Sequence, residues 1–249
     1  MALARAALES LLRARQLDRT LTTALPTPDP HDAQTVAATG ITALDARLGG
    51  GFPRGQLSEI VGPRSSARAS VLLQTLAAAT ARGELTALID VLDMFDPASA
   101  AAAGVDLDRL LWIRGHVVVN PGLCRDMNQR ALEQAVKALT LVLQAGNFGV
   151  VVFDAAEAPA IALKRLPFTT WLRLQRMVEG SQTVGLLAGP EPMARSSAGT
   201  TVKLGINSEF HRSRLFDSFS REAHVIRART RAHEDTAVSF ATHVAHDVC

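Results

Sequence analysis

The chain has 249 residues, 47% of them hydrophobic and 20% charged, with a formal net charge of +2, which gives room for one substantial core and allows one or two domains. Its two cysteines, Cys124 and Cys249, stand far apart, which excludes a disulfide framework or a metal-ligand spacing and predicts a reducing compartment and a cytoplasmic protein. With no tyrosine and 4% aromatic residues, a base-stacking surface of the RRM or OB kind is poorly supplied.

The opening stretch, MALARAALESLLRARQL, is too rich in arginine and glutamate for a signal peptide, and no apolar run is long enough to span a bilayer. Residues Ala2 to Leu17 carry a helical stripe of Leu3, Ala7, Leu11 and Ala14, flanked by Leu8 and Leu12. Such a helix either packs on its own domain or forms an arm that docks on a partner. The stretch from Thr23 to Thr35, with three prolines and two aspartates, favours a linker after it. The expected organisation is an amino-terminal helix over 1–22, a linker over 23–38, a main domain over 39–232 and a carboxyl-terminal tail over 233–249.

Thr42 or Gly40 opens a short helix through Leu48, and a glycine-rich turn leads into the apolar strand GQLSEIV, ending at Val61. The loop GPRSSARAS, Gly62 to Ser70, follows, and VLLQTLAAATARG then shows helical spacing up to Gly83. Strand, loop and helix form the setting of a phosphate-binding loop, G-x-x-x-x-G-K-[ST]. That pattern needs glycine for the curl, lysine for the terminal phosphates and a hydroxyl for magnesium; here Ala67, Arg68 and Ala69 occupy the three places. Arg68 keeps the charge with a bulkier planar group. Ser70 carries a hydroxyl one residue further on, roughly 100° around the helix.

Beyond the loop, TALIDVLDMFDP reads as a buried strand ending near Asp90, ASAAAAG as a small-residue helix and LLWIRG as a third strand. A helical pattern starts at Ala131 and stops at Gly146, and VVVFD, Val150 to Asp154, has the unbroken β-branched character of a strand covered on both faces. Helices are expected from Pro159 to Arg165 and from Thr169 to Glu179, then the strand TVGLLAG. Strands and helices alternating at this spacing predict an α/β fold, a mostly parallel sheet with helices on both faces. In the second of those helices an apolar face containing Trp171 turns inward, leaving Arg173 and Arg176 to solvent or to a partner.

Between Met193 and His233 there are eight basic residues against three acids. The stretch Gly189 to Leu204, with Arg195 and Lys203, reads as a small polar loop. Arg227, Arg229 and Arg231 alternate, which places them on one face of a strand with Ile226 and Ala228 on the other: a solvated edge face, or a ridge contacting phosphates. His233, His243 and His246 lack the companions that would complete a metal site, so no metal is expected.

Taken together, the approach TGITALDARLGGGFPRGQLSEIVGPRSSARAS, then LIDVLDMFDP, AAAGVDLDRLLWIRG and VVVFD resemble the RecA-like recombinase superfamily, from about Thr39 to about Arg231. The resemblance implies a RecA-like core with nucleotide and DNA sites at the carboxyl ends of a twisted sheet. It places Asp154 at the acidic end of the magnesium-associated strand, a position that also suits a cap of the next segment. It places Leu92, with Asp93 beside it, where active RecA proteins carry the glutamate that orients the attacking water. The segment between Phe153 and Thr183 is shorter than a first DNA-binding loop requires, and Gly189 to Leu204 falls at the second.

Within the superfamily the chain is most similar to the ImuA group, RecA-like accessories of bacterial mutagenesis cassettes, through GGGFPRGQLSEI, the altered loop and ALEQAVKALTLVLQAGNFGVVVFD. That likeness implies a non-catalytic adaptor, without a cofactor, in DNA-damage tolerance and translesion synthesis. Its implied partners are RecA, an ImuB-type Y-family polymerase homologue and an error-prone replicative-type polymerase. The amino-terminal helix would dock on RecA or mediate self-association. The other readings are an ATPase of RecA or KaiC type using Arg68 and Ser70, and direct DNA binding through Lys203 and the Arg227 to Arg231 ridge. For the adaptor, Arg68 is expected to fill space or bridge to an acid such as Asp154.

Overall fold

The computed structural model describes residues 35–115, 125–195, 198–205, 218–228 and 237–243. The expected amino-terminal helix, with Leu3, Leu8, Leu11 and Leu12, lies outside them, as do Arg229, Arg231, His233 and His246. Runs of β-branched and aliphatic residues form the central strands, since residues buried on both faces have no reason to alternate with polar ones. In chain order these are β1 (Val36–Ala37), β2 (Phe52–Pro53), β3 (Gln56–Val61), β4 (Thr86–Asp90), β5 (Leu110–Arg114), β6 (Val150–Asp154), β7 (Val184–Gly189), β8 (Ala198–Leu204), β9 (Ser218–Ala228) and β10 (Ala237–His243). Helices α1 (Thr42–Arg47), α2 (Arg68–Ala81), α3 (Pro97–Ala102), α4 (Arg125–Ala145), α5 (Ala160–Leu163) and α6 (Phe168–Val178) alternate with them.

One sheet runs in the order β10-β9-β8-β3-β7-β6-β4-β5, and β1 pairs separately with β2. The six strands from β8 to β5 are mutually parallel, whereas β9 and β10 join antiparallel. Each face buries its own apolar layer. On one, Leu57, Ile89, Val151, Phe153 and Leu187 meet Leu132, Leu139, Trp171 and Leu174 of α4 and α6. On the other, Ile60, Leu88, Val152 and Leu186 meet Val71, Leu72 and Leu76 of α2. The expected α/β architecture with helices on both faces is thus present. Among the described residues no helix is long and apolar enough to cross a membrane.

Four expectations need correction. Helix α4 begins at Arg125 rather than Ala131. The stretch Gly189 to Leu204 is not a loop throughout, because its second half is β8, paired with β3 on one side and β9 on the other. Small polar residues suit that position: a Cβ on Gly199 would lie 2.0 Å from Gln56 Oε1, and Thr201 Oγ1 donates to Glu59 Oε2 at 2.9 Å. Strand β9 is not an edge, since β10, formed by residues expected to be a tail, covers it. The even alternation around Arg227 is also broken. Val225 pairs with Val202 and Arg227 with Thr201, so Ile226 is the extra residue of a bulge.

Phe153 is fully buried and meets Trp171 edge-on, with ring centroids 6.1 Å apart. This contact ties the central strand β6 to α6. Phe153→Ala is expected to lower unfolding free energy by about 3–5 kcal/mol, read from the midpoint and slope of urea denaturation.

Candidate functional site

The loop leaves β3 at Gly62, where only glycine fits. A Cβ there would lie 2.6 Å from the Leu204 carbonyl oxygen and 2.7 Å from Ser66 Oγ. Ser65 and Ala67 then take left-handed backbone angles, with φ of 60° and 65°. The curl of a phosphate-binding loop is therefore retained although alanine holds the second glycine's place, at a cost of about 1–2 kcal/mol for such a residue. Helix α2 starts at Arg68 with no side-chain cap and no acid in its first turn. Ser66 Oγ is buried with no partner among the described residues.

The side chain of Arg68 is folded inward. It is 6% exposed, donating from Nη1 to the Ala156 carbonyl at 2.9 Å and from Nη2 to Glu157 Oε1 at 3.3 Å. Glu157 also accepts from Arg64, so one carboxylate joins two arginines of the loop. Burial pulls the Arg68 guanidinium below its ordinary pKa, against the opposing fields of Glu157 and Asp154. The expected acid, Asp154, lies within electrostatic reach but is not the residue Arg68 pairs with. Ala69 is exposed and Ser70 half-buried.

Asp154 Oδ1 instead accepts from Ala156 N at 3.0 Å, shaping the turn that presents Ala156 and Glu157 to Arg68. It ends β6 in register with Asp90, the last residue of β4. Asp90 accepts three hydrogen bonds, from Met94 N at 3.0 Å, Phe95 N at 2.8 Å and Trp112 Nε1 at 3.3 Å. Burial, and then Asp90 beside it, push Asp154 up to about 6, against the lowering effects of the Ala156 N–H and Arg68.

The position implied for a water-orienting glutamate is occupied otherwise. Leu92 is core, and Asp93, with a φ of 58°, forms two 2.8 Å hydrogen bonds with Arg114. Arg114 holds the Asp93 carboxyl below its ordinary range and lies over the Trp112 ring.

The remaining predicted residues are spread out. Lys203 pairs with Val61, the last residue before the loop. Arg195 belongs to the connection between β7 and β8, in a cleft with Lys164, Glu191 and Met193. Arg227 is on β9, two places along the sheet from β3, the strand that leads into the loop, with β8 between them, and Arg173 and Arg176 are exposed on α6. Sequence reasoning missed Glu157, Arg64 and Glu59, none of which occupies a defined position of a motif, Arg64 being at a variable place of the loop. The only pointer to Glu157 was its place three residues after Asp154.

Residues 15–162 match the RecA N-terminal domain family. The chain belongs to that family. Protein RecA of Chlorobaculum parvum is 37% identical over 122 residues, which are 49% of this chain and 31% of that protein. Protein RecA of Symbiobacterium thermophilum and that of an Arthrobacter species are each 38% identical over 124 residues, with the same shares covered. The matched stretch thus spans about a third of the length of these relatives.

In this RecA-family chain Asp154 makes stability depend on pH. Its unfolded carboxyl ionises near 3.8 and its folded one at about 6, so the folded state holds the proton more tightly. The cost of ionising it is absent below both values, grows between them and is complete above, so stability falls as pH rises through that window. Asp154→Asn is expected to remove this fall. Relative to the parent chain it gains on the order of 2 kcal/mol between about pH 4 and about pH 7, read by urea denaturation at both ends.

Proposed function

We propose that this chain is a non-catalytic RecA-like adaptor of ImuA type in DNA-damage tolerance. It acts in translesion synthesis through contacts with RecA, an ImuB-type Y-family polymerase homologue and an error-prone replicative-type polymerase. The observation that carries this reading is the inward Arg68, which is spent on Ala156 and Glu157 where a phosphate-binding loop keeps its cation for the nucleotide. Two further features support it. Ala69 brings no hydroxyl for magnesium, and Leu92 with the Arg114-bound Asp93 brings no free carboxylate to orient water. Binding energy is then available only through surfaces, among them Arg173 and Arg176 on α6 and the amino-terminal segment.

A second reading, an ATPase of RecA or KaiC type with a variant loop, draws on the retained curl at Ser65 and Ala67 and on the uncapped start of α2. The two separate on nucleotide binding. A ligand at a hundred times its Kd stabilises its protein by about 2.7 kcal/mol; the adaptor predicts no thermal shift with millimolar ATP and magnesium. A shift in the wild-type chain overturns it. The Ala67→Gly, Arg68→Lys double variant is expected to recover binding that the parent lacks. In pull-downs with RecA, deletion of residues 1–38 is expected to abolish capture, and undiminished capture removes the amino-terminal segment as the docking element.

A further inference from the structure

Glu157 has a geometry that the loss of nucleotide chemistry alone does not require. A degenerate loop needs only to lack lysine and hydroxyl; here a carboxylate 89 positions away from Arg68 has been brought against the loop's cations. One of its oxygens meets the buried Arg68 and the other meets Arg64, whose side chain is 78% exposed. A carboxylate shared by two guanidiniums offers them what a phosphate also offers: anionic acceptor oxygens within reach of two forks. Other attractors for an anion remain around it. Helix α2, 14 residues long, presents its first turn with no capping side chain and no acid. The buried hydroxyl of Ser66 within the curl has no partner among the described residues.

We propose that Glu157 is the resident anion of this loop, an internal carboxylate that masks a binding site for a di- or triphosphate anion. The proposal rests on the non-catalytic reading above, in which Arg68 is turned inward, and adds a cause for it. The site is blocked by a charge supplied in cis, in addition to the substitutions at Ala67, Arg68 and Ala69. Removing the Glu157 charge leaves Arg68 buried without its counter-ion, a state that an external polyanion relieves. A partner that draws Glu157 away by offering it another cation would have the same effect, which couples partner contact to the state of the loop.

The probe is inorganic tripolyphosphate, titrated calorimetrically into the full chain at low ionic strength. Glu157→Gln, which keeps the side chain's volume, and Glu157→Ala are each expected to bind it more tightly than the parent, by on the order of tenfold or more. Glu179→Gln, at an exposed position beyond α6, removes the same charge elsewhere and is expected to leave the affinity unchanged. An equal gain in Glu179→Gln, or no gain in either Glu157 variant, overturns the proposal. A test on the parent chain does not depend on how the variants fold: without any added anion, the Arg68 guanidinium protons are expected to exchange slowly with water by nuclear magnetic resonance. Fast exchange overturns the mask. Tight ATP binding by the parent chain would instead overturn the non-catalytic reading itself, so the two failures are distinguishable.

Discussion

Glu59 is a carboxylate with no solvent access in the middle of β3, and three donors converge on it. Met193 N and Ala194 N reach Oε1 at 2.7 and 2.8 Å, and Thr201 Oγ1 reaches Oε2 at 2.9 Å. A buried carboxyl group of this kind is tolerable only when its polar atoms find partners. The requirement fixes the connection from β7 to β8 against the central strand. It also sets β8 beside β3, so that the Leu204 carbonyl lies under Gly62 and forms the floor of the loop. On the α6 side a second buried polar contact, Leu57 N to Gln175 Oε1 at 2.8 Å, ties the same strand to its covering helix.

On that floor the loop is held as part of the fold. Gly62 permits the close approach, Ser65 and Ala67 supply the left-handed turns, and Arg68 turns inward under the arch toward Ala156 and Glu157. The strained backbone at Ala67 persists because the residues on either side are fixed by burial. The carboxyl ends of β4 and β6 follow the same economy of charge. Asp90 spends its oxygens on three donors and Asp154 spends one on its own turn, while Asp93 is engaged at the sheet's edge by Arg114. Each of these three acids takes part in a contact that holds the fold.

Much of the sheet was legible before any coordinate. The strands ending at Val61, Asp90, Asp154 and Gly189 are short apolar runs stopped by glycine or aspartate, the pattern that burial on both faces imposes. The inward face of α6 was equally clear from Trp171, with Arg173 and Arg176 outside. Strand β8 was not, because AGTTVKL has the composition of a loop; its buried Thr201 hydroxyl is partnered by a glutamate 142 positions away. The bulge at Ile226 escaped as well, since the periodicity of a strand carries no mark of the partner against which it slips.

The order of the residues alone determined the α/β class, the place of the loop between β3 and α2, and the loss of glycine, lysine and hydroxyl at 67, 68 and 69. These are local properties: periodicity, turn chemistry and the identity of a side chain at a motif position. Tertiary structure decided which acid meets Arg68. Asp154 was the nearer expectation, but its carboxyl bonds to its own turn beside Asp90, and the next acid, Glu157, takes both arginines. The physical reason is that a buried charge is satisfied by whatever donor or acceptor the packed chain brings within about 3 Å, and that distance is set by the sheet rather than by spacing along the chain.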